Sequence, residues 1–201
     1  ARTSSPTTER HGTLSGVRGA TLIELLTALL VAGVLLAWGG IEATRLLAAF
    51  RADAAVTQML GAVRFARHAA VEHRGTVTLC PAAADRCGRR NDWHRGALVF
   101  LDRDGNGRRT ADETLLRRLP RLRGGERVYW RSFRNRSSLS MLPTGLTDWQ
   151  NGNFLYCPPG GDARHARQII LNAQGRIRQA RDTDGDGVRE DASGRPLTCP
   201  A

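Results

Sequence analysis

The 201-residue sequence has no lysine, few aromatic residues and few cysteines. All 30 basic side chains are therefore arginines, and against 19 acidic residues they give a formal net charge of +11. Aromatic residues at 5 % argue against a nucleic-acid surface of many stacked rings, and four cysteines are too few for a small disulfide-dense protein. Apolar residues reach 41 %, so the chain can bury a core, and its length suits one domain or one domain with an appendage.

No set of residues typical of a catalytic site stands out. The sequence has no Gly-x-Ser-x-Gly motif and no glycine-rich phosphate loop before a helix. Two of the five histidines, His68 and His73, lie among arginines on a predicted helix surface, which is typical of solvated positions. We therefore expect a protein that is not an enzyme and that holds no cofactor, a structural calcium ion apart.

A long apolar segment follows a polar start. Residues 1–19 are polar, whereas residues 20–40 are mostly apolar, roughly 31 Å as a helix and enough to cross the hydrocarbon of a bilayer. The arginines that precede the segment favour an exported C-terminal part. A cleaved secretory signal fits badly, because the polar and apolar regions are both long and Glu24 lies inside the apolar one. A carboxylate is costly there, which indicates a functional role.

The run Gly19-Ala20-Thr21-Leu22-Ile23-Glu24 resembles the N-terminal signal of type IV pilins and pseudopilins. That signal is a glycine, usually a phenylalanine (here Ala20), and Thr-Leu-Ile-Glu at the head of an apolar helix. The resemblance implies that residues 1–19 are a prepilin leader, that a prepilin peptidase cuts after Gly19, and that Ala20 is then N-methylated. It also implies that Glu24 meets the N-terminal amine of a neighbouring subunit, where an ammonium offsets the cost of a buried carboxylate.

Residues 41–74 are predicted to continue the helix with an amphipathic pattern. No proline lies between Ala20 and Arg74, and alanine, leucine and arginine favour helix. Apolar residues recur every three or four positions, at Leu46, Phe50, Ala54, Leu60 or Met59, Val63 and Val71. We expect this stripe to pack on a folded head and Gly75 to end the helix.

After Gly75 the pattern changes to short β-type runs separated by Gly, Pro, Asp and Asn. The predicted strands are 76–80, 96–102, 114–119, 127–133, 153–157, 168–171 and 176–179. The predicted fold class is therefore α+β and, with the N-terminal signal, type IV pilin-like. Residues 20–40 form the membrane half of a long N-terminal helix and 41–74 its amphipathic half, packed on a small β-rich periplasmic head of residues 75–201.

Part of this head resembles one subgroup of the pilin-like proteins. Val77-Thr78-Leu79-Cys80, then Cys87, Asp92-Trp93 and the strand 96–102 are similar to the GspH/FimT family of minor pilins and pseudopilins. These proteins share a Cys–Cys loop, a Trp-x-x-Gly turn and a Phe-x-Asp strand end. The resemblance implies a non-catalytic subunit of a type IV pilus or type II secretion pseudopilus in the inner membrane, with other pilin or pseudopilin subunits as partners.

Four cysteines allow three disulfide connectivities, and the sequence alone does not choose among them. An exported head permits disulfides. Cys80 and Cys87 flank a short loop, and a bond from Cys157 to Cys199 would tie down the C-terminal end, so these are the pairs we expect. Zinc ligation is the rival, although the sequence has no Cys-x-x-Cys.

Two acidic loops match a calcium-binding pattern, in which alternating oxygen ligands surround a glycine turn. The first contains Asp102, Asp104, Asn106, Gly107 and, at the twelfth position, Glu113. The second contains Asp182, Asp184, Asp186 and Gly187, with Ser193 at the closing position and Glu190 or Asp191 as possible substitutes. Arg108 and Arg109 add unfavourable charge to the first loop. An Asp/Asn/Gly hairpin turn is the alternative for both.

The run Gly175-Arg176-Ile177-Arg178 follows an Asn-Ala-Gln-Gly turn and is predicted to open the return strand of a hairpin. The two-residue period of a strand places Arg176 and Arg178 on one face, where two guanidiniums suit a phosphate backbone. The other arginines expected there are Arg164, Arg167 and Arg181. The run also resembles the Gly-Arg-x-Arg motif of DNA-binding FimT-like minor pilins, which implies binding of duplex DNA without sequence preference for natural transformation. The alternative is a solvated strand face.

A second basic block, residues 108–136, has ten arginines against three acidic residues and predicts a further DNA surface or a subunit interface. Two functions stay open from the sequence. One is a minor pilin that captures DNA, and the other is a purely structural, GspH-like subunit at the tip of a secretion pseudopilus that binds no DNA.

Overall fold

The computed structural model describes residues 19–200, except for the side chains of residues 37–42 and 134. The predicted leader therefore lies outside the described residues, apart from Gly19. The chain divides into two compact units, residues 1–43 and 44–201.

One helix, α1 (Leu22–His73), runs through the N-terminal third of the described chain. It begins after Thr21, whose Oγ1 accepts a hydrogen bond from the N–H of Glu24 (3.3 Å) and so satisfies one free donor of the first turn. No proline interrupts it. From Leu22 to Leu36 every side chain is exposed, so nothing in the described chain buries this apolar stretch.

The helix ends one residue earlier than the sequence indicates. Arg74, and not Gly75, adopts the left-handed conformation, with φ of 50°. The N–H of Gly75 then reaches back to the carbonyl of Ala70 (3.2 Å), which is typical of a helix C-terminus. Gly75 matters for packing instead, because a Cβ there would lie 3.1 Å from Cδ1 of Leu101.

Nine short strands follow α1 in the described chain. They are β1 (Val77–Ala83), β2 (Arg86–Cys87), β3 (Ala97–Leu101), β4 (Leu115–Leu119), β5 (Arg127–Ser132), β6 (Leu139–Met141), β7 (Gly152–Cys157), β8 (Arg167–Leu171) and β9 (Ile177–Gln179). All seven predicted strands are present. β2 and β6 were not predicted, since two or three residues are too few to show an alternating pattern.

The strands form two antiparallel sheets. In the first, β2, β1, β3 and β4 are neighbours in that order, and β6 also pairs with β1. In the second the order is β5-β7-β8-β9, with the hairpin β8–β9 at one edge. The head is thus an α+β domain, as the sequence predicts.

The core of the head lies between the second half of α1 and both sheets. An aromatic cluster occupies it: the ring of Phe154 stacks on Trp130 at a centroid distance of 4.2 Å and meets Trp93 edge-on at 4.8 Å. Such pairs add to the free energy of burial. Trp93 belongs to the Trp-x-x-Gly turn, so the motif seen in the sequence has a packing role.

The predicted apolar stripe of α1 was largely wrong. The buried face consists of Ala52, Val56, Met59, Ala62, Val63, Ala66, Ala69 and Ala70. Leu46, Phe50, Ala54 and Val71 are exposed instead, and only Met59 and Val63 of the predicted set are buried. Alanines dominate the buried face because a small side chain lets the helix backbone approach the sheets closely.

Candidate functional site

The N-terminal part of α1 is a candidate assembly segment. Leu22–Leu36 is a short apolar stretch, fully exposed. Within the described residues, Ala43–His73 is also long and apolar enough to cross a membrane by length and composition. A third of its apolar window is buried in the protein itself, as expected for the core helix of the head. The predicted span 20–40 extends into residues whose side chains lie outside the description.

Glu24 lies in the first turn of α1, where a carboxylate is favoured by the helix dipole. Its backbone is satisfied, because Thr21 caps its N–H and the hydroxyl of Thr27 donates to its carbonyl (2.9 Å). Thr21 and Glu24 have the spacing of a capping box, yet residues 19–200 provide no hydrogen bond or ion pair to the Glu24 carboxylate. This carboxylate is therefore free, within the described chain, to meet a cation from outside. Gly19 and Ala20 precede it and are both exposed.

Large apolar side chains also remain exposed where α1 enters the head. Leu46 and Leu47 are about half exposed and Phe50 is 64 % exposed. None of them belongs to the core of the head. An apolar surface of this kind is typical of a site that packs against another protein.

The hairpin that carries the arginine motif is fixed to α1 by its turn. Gly175 has φ of 72°, and a Cβ there would lie 2.7 Å from the carbonyl oxygen of Gly145, so this position requires glycine. From α1, Nη1 of Arg67 donates to the carbonyl of Gly175 (3.2 Å). The first residue of the Gly-Arg-x-Arg motif is thus structural, and it holds the turn against the helix.

Arg176 and Arg178 are both exposed, whereas Ile177 between them packs against the core. This is the two-residue alternation that the sequence predicts. Arg178 is opposite Ile170, and the same cross-strand row continues through Asn153 to Arg131. Arg131 and Arg178 thus lie at opposite edges of one sheet face. Three strand spacings of about 4.8 Å separate them, roughly 14 Å in all.

The other end of this sheet face is covered. Leu155, Ala166 and Ala180 form a buried cluster with Leu197 of the C-terminal segment. That segment is held by the disulfide between Cys157 and Cys199, and a second disulfide joins Cys80 to Cys87. Both pairs have the connectivity expected from the sequence. The open end of the face is therefore the end that presents Arg176 and Arg178.

A groove runs beside β9, between α1 and the C-terminal loop. Two acidic residues, Glu190 and Asp191, line it together with five arginines: Arg64, Arg176, Arg178, Arg181 and Arg189. Within residues 19–200, the side chains of the first four arginines form no ion pair. Arg189 is more engaged, since its Nη1 donates to the carbonyl of Ala180 (3.3 Å) and burial lowers its pKa. No local pattern indicates that Arg64 lies beside the hairpin, because it is on α1, more than 100 residues earlier in the chain.

Arg167 does not belong to this exposed set, and its assignment as a DNA contact was wrong. It is buried, its Nε donates to Oδ1 of Asp53 on α1 at 2.7 Å, and its Nη1 donates to the carbonyls of Arg164 and Ala166. Arg164 is exposed, but it lies in a short 3-10 helix, Ala163–His165, outside the groove lining.

Many arginines of the second basic block, residues 108–136, bind within the head. Arg109 and Arg118 hold the Cys80–Cys87 loop, through the carbonyls of Asp85 (2.7 Å) and Ala84 (2.8 Å). Elsewhere in the block, the guanidinium of Arg117 lies 5.2 Å from the ring centre of Phe65, and Arg136 pairs with Asp148 at 2.6 Å. Because these arginines are engaged within the head, fewer of them are free to bind a partner than the ten in the sequence indicate.

Both acidic loops form turns around their glycine, which are compatible with a calcium loop and with a plain hairpin turn. In each, the loop glycine donates its N–H to the first aspartate: Gly107 to Asp102 (3.0 Å) and Gly187 to Asp182 (2.9 Å). Asp102, Asp104 and Glu113 bring carboxylate oxygens within 4.8 Å of one another, as do Asp182, Asp184, Asp186 and Glu190. Burial raises the pKa of Asp102.

Of the two possible closing residues of the second loop, the structure brings in Glu190 and not Asp191. The carboxylate of Asp191 accepts hydrogen bonds from the hydroxyl and N–H of Ser193 and from Arg195. These bonds, the Ser193 hydroxyl first, hold the pKa of Asp191 well below its usual range.

A family model and two solved structures show what this chain is similar to. The family model described as "Type II transport protein GspH" matches residues 55–175, more than half of the chain. No curated protein matches. The crystal structure of the type IV minor pilin FimU of Pseudomonas aeruginosa is 18 % identical, with a TM-score of 0.48 over 76 % of this chain and 92 % of that one.

The minor pseudopilin EpsH, from the type 2 secretion system of Vibrio cholerae, is 10 % identical, with a TM-score of 0.45 over 64 % of this chain and 95 % of that one. Neither likeness is close enough to transfer a role. The family model spans the second half of α1 and most of the antiparallel head, and its match shows that the chain belongs to the GspH/FimT family of type IV pilin-like minor pilins and pseudopilins.

Proposed function

We propose that the chain is a low-abundance subunit of a type IV pilus or of a type II secretion pseudopilus, anchored in the inner membrane by one helix with its head in the periplasm. The observation that carries the proposal is the apolar stretch Leu22–Leu36, wholly exposed and headed by the carboxylate of Glu24, which has no partner among residues 19–200. α1 continues without a break past Leu36, so residues 22–40 together provide about the length that a membrane-spanning helix needs. In a filament the same surface packs against the helices of neighbouring subunits.

Glu24 is the residue that distinguishes an assembly helix from a plain anchor. A membrane anchor gains nothing from a carboxylate, which costs about 2.5–3.5 kcal/mol on insertion scales. In a filament, the N-terminal amine of an adjacent subunit offsets that cost. The cut after Gly19 by a prepilin peptidase supplies such an amine, on Ala20.

The test replaces Glu24 with alanine in the full-length protein. Glu24→Ala is expected to leave the amount of protein in the membrane fraction unchanged or higher and to reduce its incorporation into sheared filaments. Thr27→Ala, one helical turn away, is the matched control and should incorporate as the parent does. Equal incorporation of Glu24→Ala and the parent would show that the carboxylate has no role in assembly.

We also propose that the head binds duplex DNA through the hairpin and the groove beside it. The supporting observation is that Arg64, Arg176, Arg178 and Arg181 line one groove and that their guanidiniums form no ion pair within the described residues. Arginines of this kind suit phosphates and read no base sequence. The competing function is a purely structural tip subunit, for which these arginines are only solvated.

The DNA proposal is tested with the full chain in detergent and a duplex of arbitrary sequence. With about 3–5 phosphate contacts, binding should be in the micromolar range, with a logarithmic salt slope of roughly −3 to −5. Arg176→Gln with Arg178→Gln should remove most of the affinity. Arg121→Gln with Arg123→Gln makes the same change of charge at two other exposed positions and should have little effect. If the hairpin variant binds DNA as tightly as the parent, the hairpin is not the DNA site, and the purely structural function is the one that remains.

A further inference from the structure

The loop between β9 and the C-terminal segment holds a cluster of four carboxylates. Asp182, Asp184, Asp186 and Glu190 each place a carboxylate oxygen within 4.8 Å of the others. Among residues 19–200, no arginine or histidine forms an ion pair with any of them. Arg181 and Arg189 adjoin the cluster in sequence, and the ion pair that Arg189 forms is with Asp53, 3.9 Å from its Nη2 to Oδ1. Four like charges at this spacing repel one another.

Glu190 gives an independent indication of a ligand. It is only 6 % exposed, and its Oε2 accepts hydrogen bonds from the N–H and the hydroxyl of Thr183, both at 2.8 Å. Its other oxygen, Oε1, is buried and has no hydrogen-bond partner in the described chain. A buried carboxylate oxygen without a partner is costly, and a cation bound among the four carboxylates would satisfy it.

The three aspartates are held so that oxygen lone pairs remain available. Asp182 accepts the N–H groups of Gly185 (2.7 Å) and Gly187 (2.9 Å), one on each oxygen. Asp184 and Asp186 each accept one N–H, on Oδ1. Each carboxylate oxygen has two lone pairs, so these bonds fix the loop and still leave acceptor sites for a cation.

We propose that this loop binds one Ca²⁺ ion, with Asp182, Asp184, Asp186 and Glu190 as ligands. An all-oxygen set from carboxylates suits a hard cation, and four carboxylates from one loop suit Ca²⁺, which takes six to eight oxygen ligands, better than Mg²⁺, which usually binds one or two carboxylates. The absence of sulfur and imidazole from the set disfavours zinc.

The other acidic cluster is the weaker candidate. It has three carboxylates rather than four, and both oxygens of Glu113 are already bonded, Oε1 to the N–H of Arg103 (3.0 Å) and Oε2 to that of Thr110 (2.9 Å). Backbone donors there occupy both oxygens of the closing residue. The buried oxygen without a partner in that cluster is Oδ1 of Asp102, the first residue of the loop, whose Oδ2 accepts from Thr78 and Gly107.

The position of the second loop indicates what the ion would do. Glu190 pairs with Pro196, and the N–H of Leu197 donates to the carbonyl of Arg189 (2.8 Å). Leu197 covers the second sheet, and Cys199 two residues later is bonded to Cys157. An ion that fixes Glu190 would therefore fasten the C-terminal segment to the sheet and stabilise the folded head.

The test is calorimetric titration of the full chain in detergent with CaCl₂ after removal of metals with a chelator, together with thermal unfolding. We expect binding at one site and, at a free Ca²⁺ concentration 100 times Kd, a rise in Tm of roughly 5–10 °C. Asp184→Asn with Asp186→Asn keeps the acceptors of the backbone bonds and should abolish both effects. Asp104→Asn with Asp112→Asn removes the same charge near the other cluster and should keep both.

Two results would overturn the proposal. One is the absence of heat and of a Tm shift with the parent chain at millimolar Ca²⁺. The other is loss of binding in Asp104→Asn/Asp112→Asn but not in Asp184→Asn/Asp186→Asn, which would assign the ion to the first cluster.

Discussion

Arg167 is a cation buried in the head, and α1 provides the charge that balances it. Its side chain is 7 % exposed, and the carboxylate of Asp53, 2.7 Å away, is about half exposed. Two backbone carbonyls accept the remaining hydrogen bonds of the guanidinium. Since a buried cation without its counter-charge is costly, this pair links the helix to β8 more firmly than an ion pair at the surface would.

Asp53→Asn tests this link. The variant keeps a hydrogen-bond acceptor and loses the charge, so we expect the free energy of unfolding to fall by about 1–3 kcal/mol, measured by denaturant unfolding with tryptophan fluorescence. Asp85→Asn breaks the exposed pair with Arg118 and should change it by less than about 0.5 kcal/mol. Equal effects of the two variants would mean that burial of Arg167 adds nothing to the pair.

Local patterns in the sequence were enough to place Arg176 and Arg178 but not Arg167. The exposure of the first two follows from the two-residue period of β9, which neighbouring residues determine. The burial of Arg167 depends on Asp53, 114 residues earlier in the chain, and on a helix whose packed face was itself wrongly predicted. Likewise, the need for glycine at position 175 comes from the carbonyl of Gly145, and no residue near the hairpin in the sequence indicates that contact.

The second half of α1 packs through small side chains. Ala52, Ala62, Ala66, Ala69 and Ala70 are 0–2 % exposed, and the larger Leu46 and Phe50 are turned away from the core. A prediction that gives most weight to large apolar residues therefore selects the wrong face of α1 as the buried one. The helix itself was predictable because its evidence is continuous, namely the lack of proline and the high helix propensity over some fifty residues. The buried face was not, because it depends on how closely the sheets approach.

Ala66→Leu should show how tight this packing is. Three extra carbon atoms at a position with no exposure force neighbouring side chains to move, so we expect a loss of about 1–3 kcal/mol in the free energy of unfolding. Ala54→Leu, the same change at an exposed position of α1, should stay within about 0.5 kcal/mol of the parent. If Ala66→Leu were as stable as Ala54→Leu, the helix would not pack closely on the sheets.

Over the whole chain, the sequence was enough for the fold class and the family because each follows from a local signal. The signal at residues 19–24, the apolar run after it and the short strands after Gly75 all appear without knowledge of distant contacts. The order of strands in two separate sheets depends on contacts between distant residues and could not be predicted. The groove could not be predicted either, because it brings together arginines from α1, β9 and the C-terminal loop.

The measurement that bears most directly on the assembly function is the intact mass and N-terminal sequence of the full-length protein extracted from membranes. The proposed assembly requires a cut after Gly19, because the new amine on Ala20 is the partner proposed for the Glu24 carboxylate of a neighbouring subunit. We predict a mature chain that begins at Ala20 and carries one N-methyl group. A chain that begins near Gly40, as in a secreted protein, or one that keeps residues 1–19, would contradict this account.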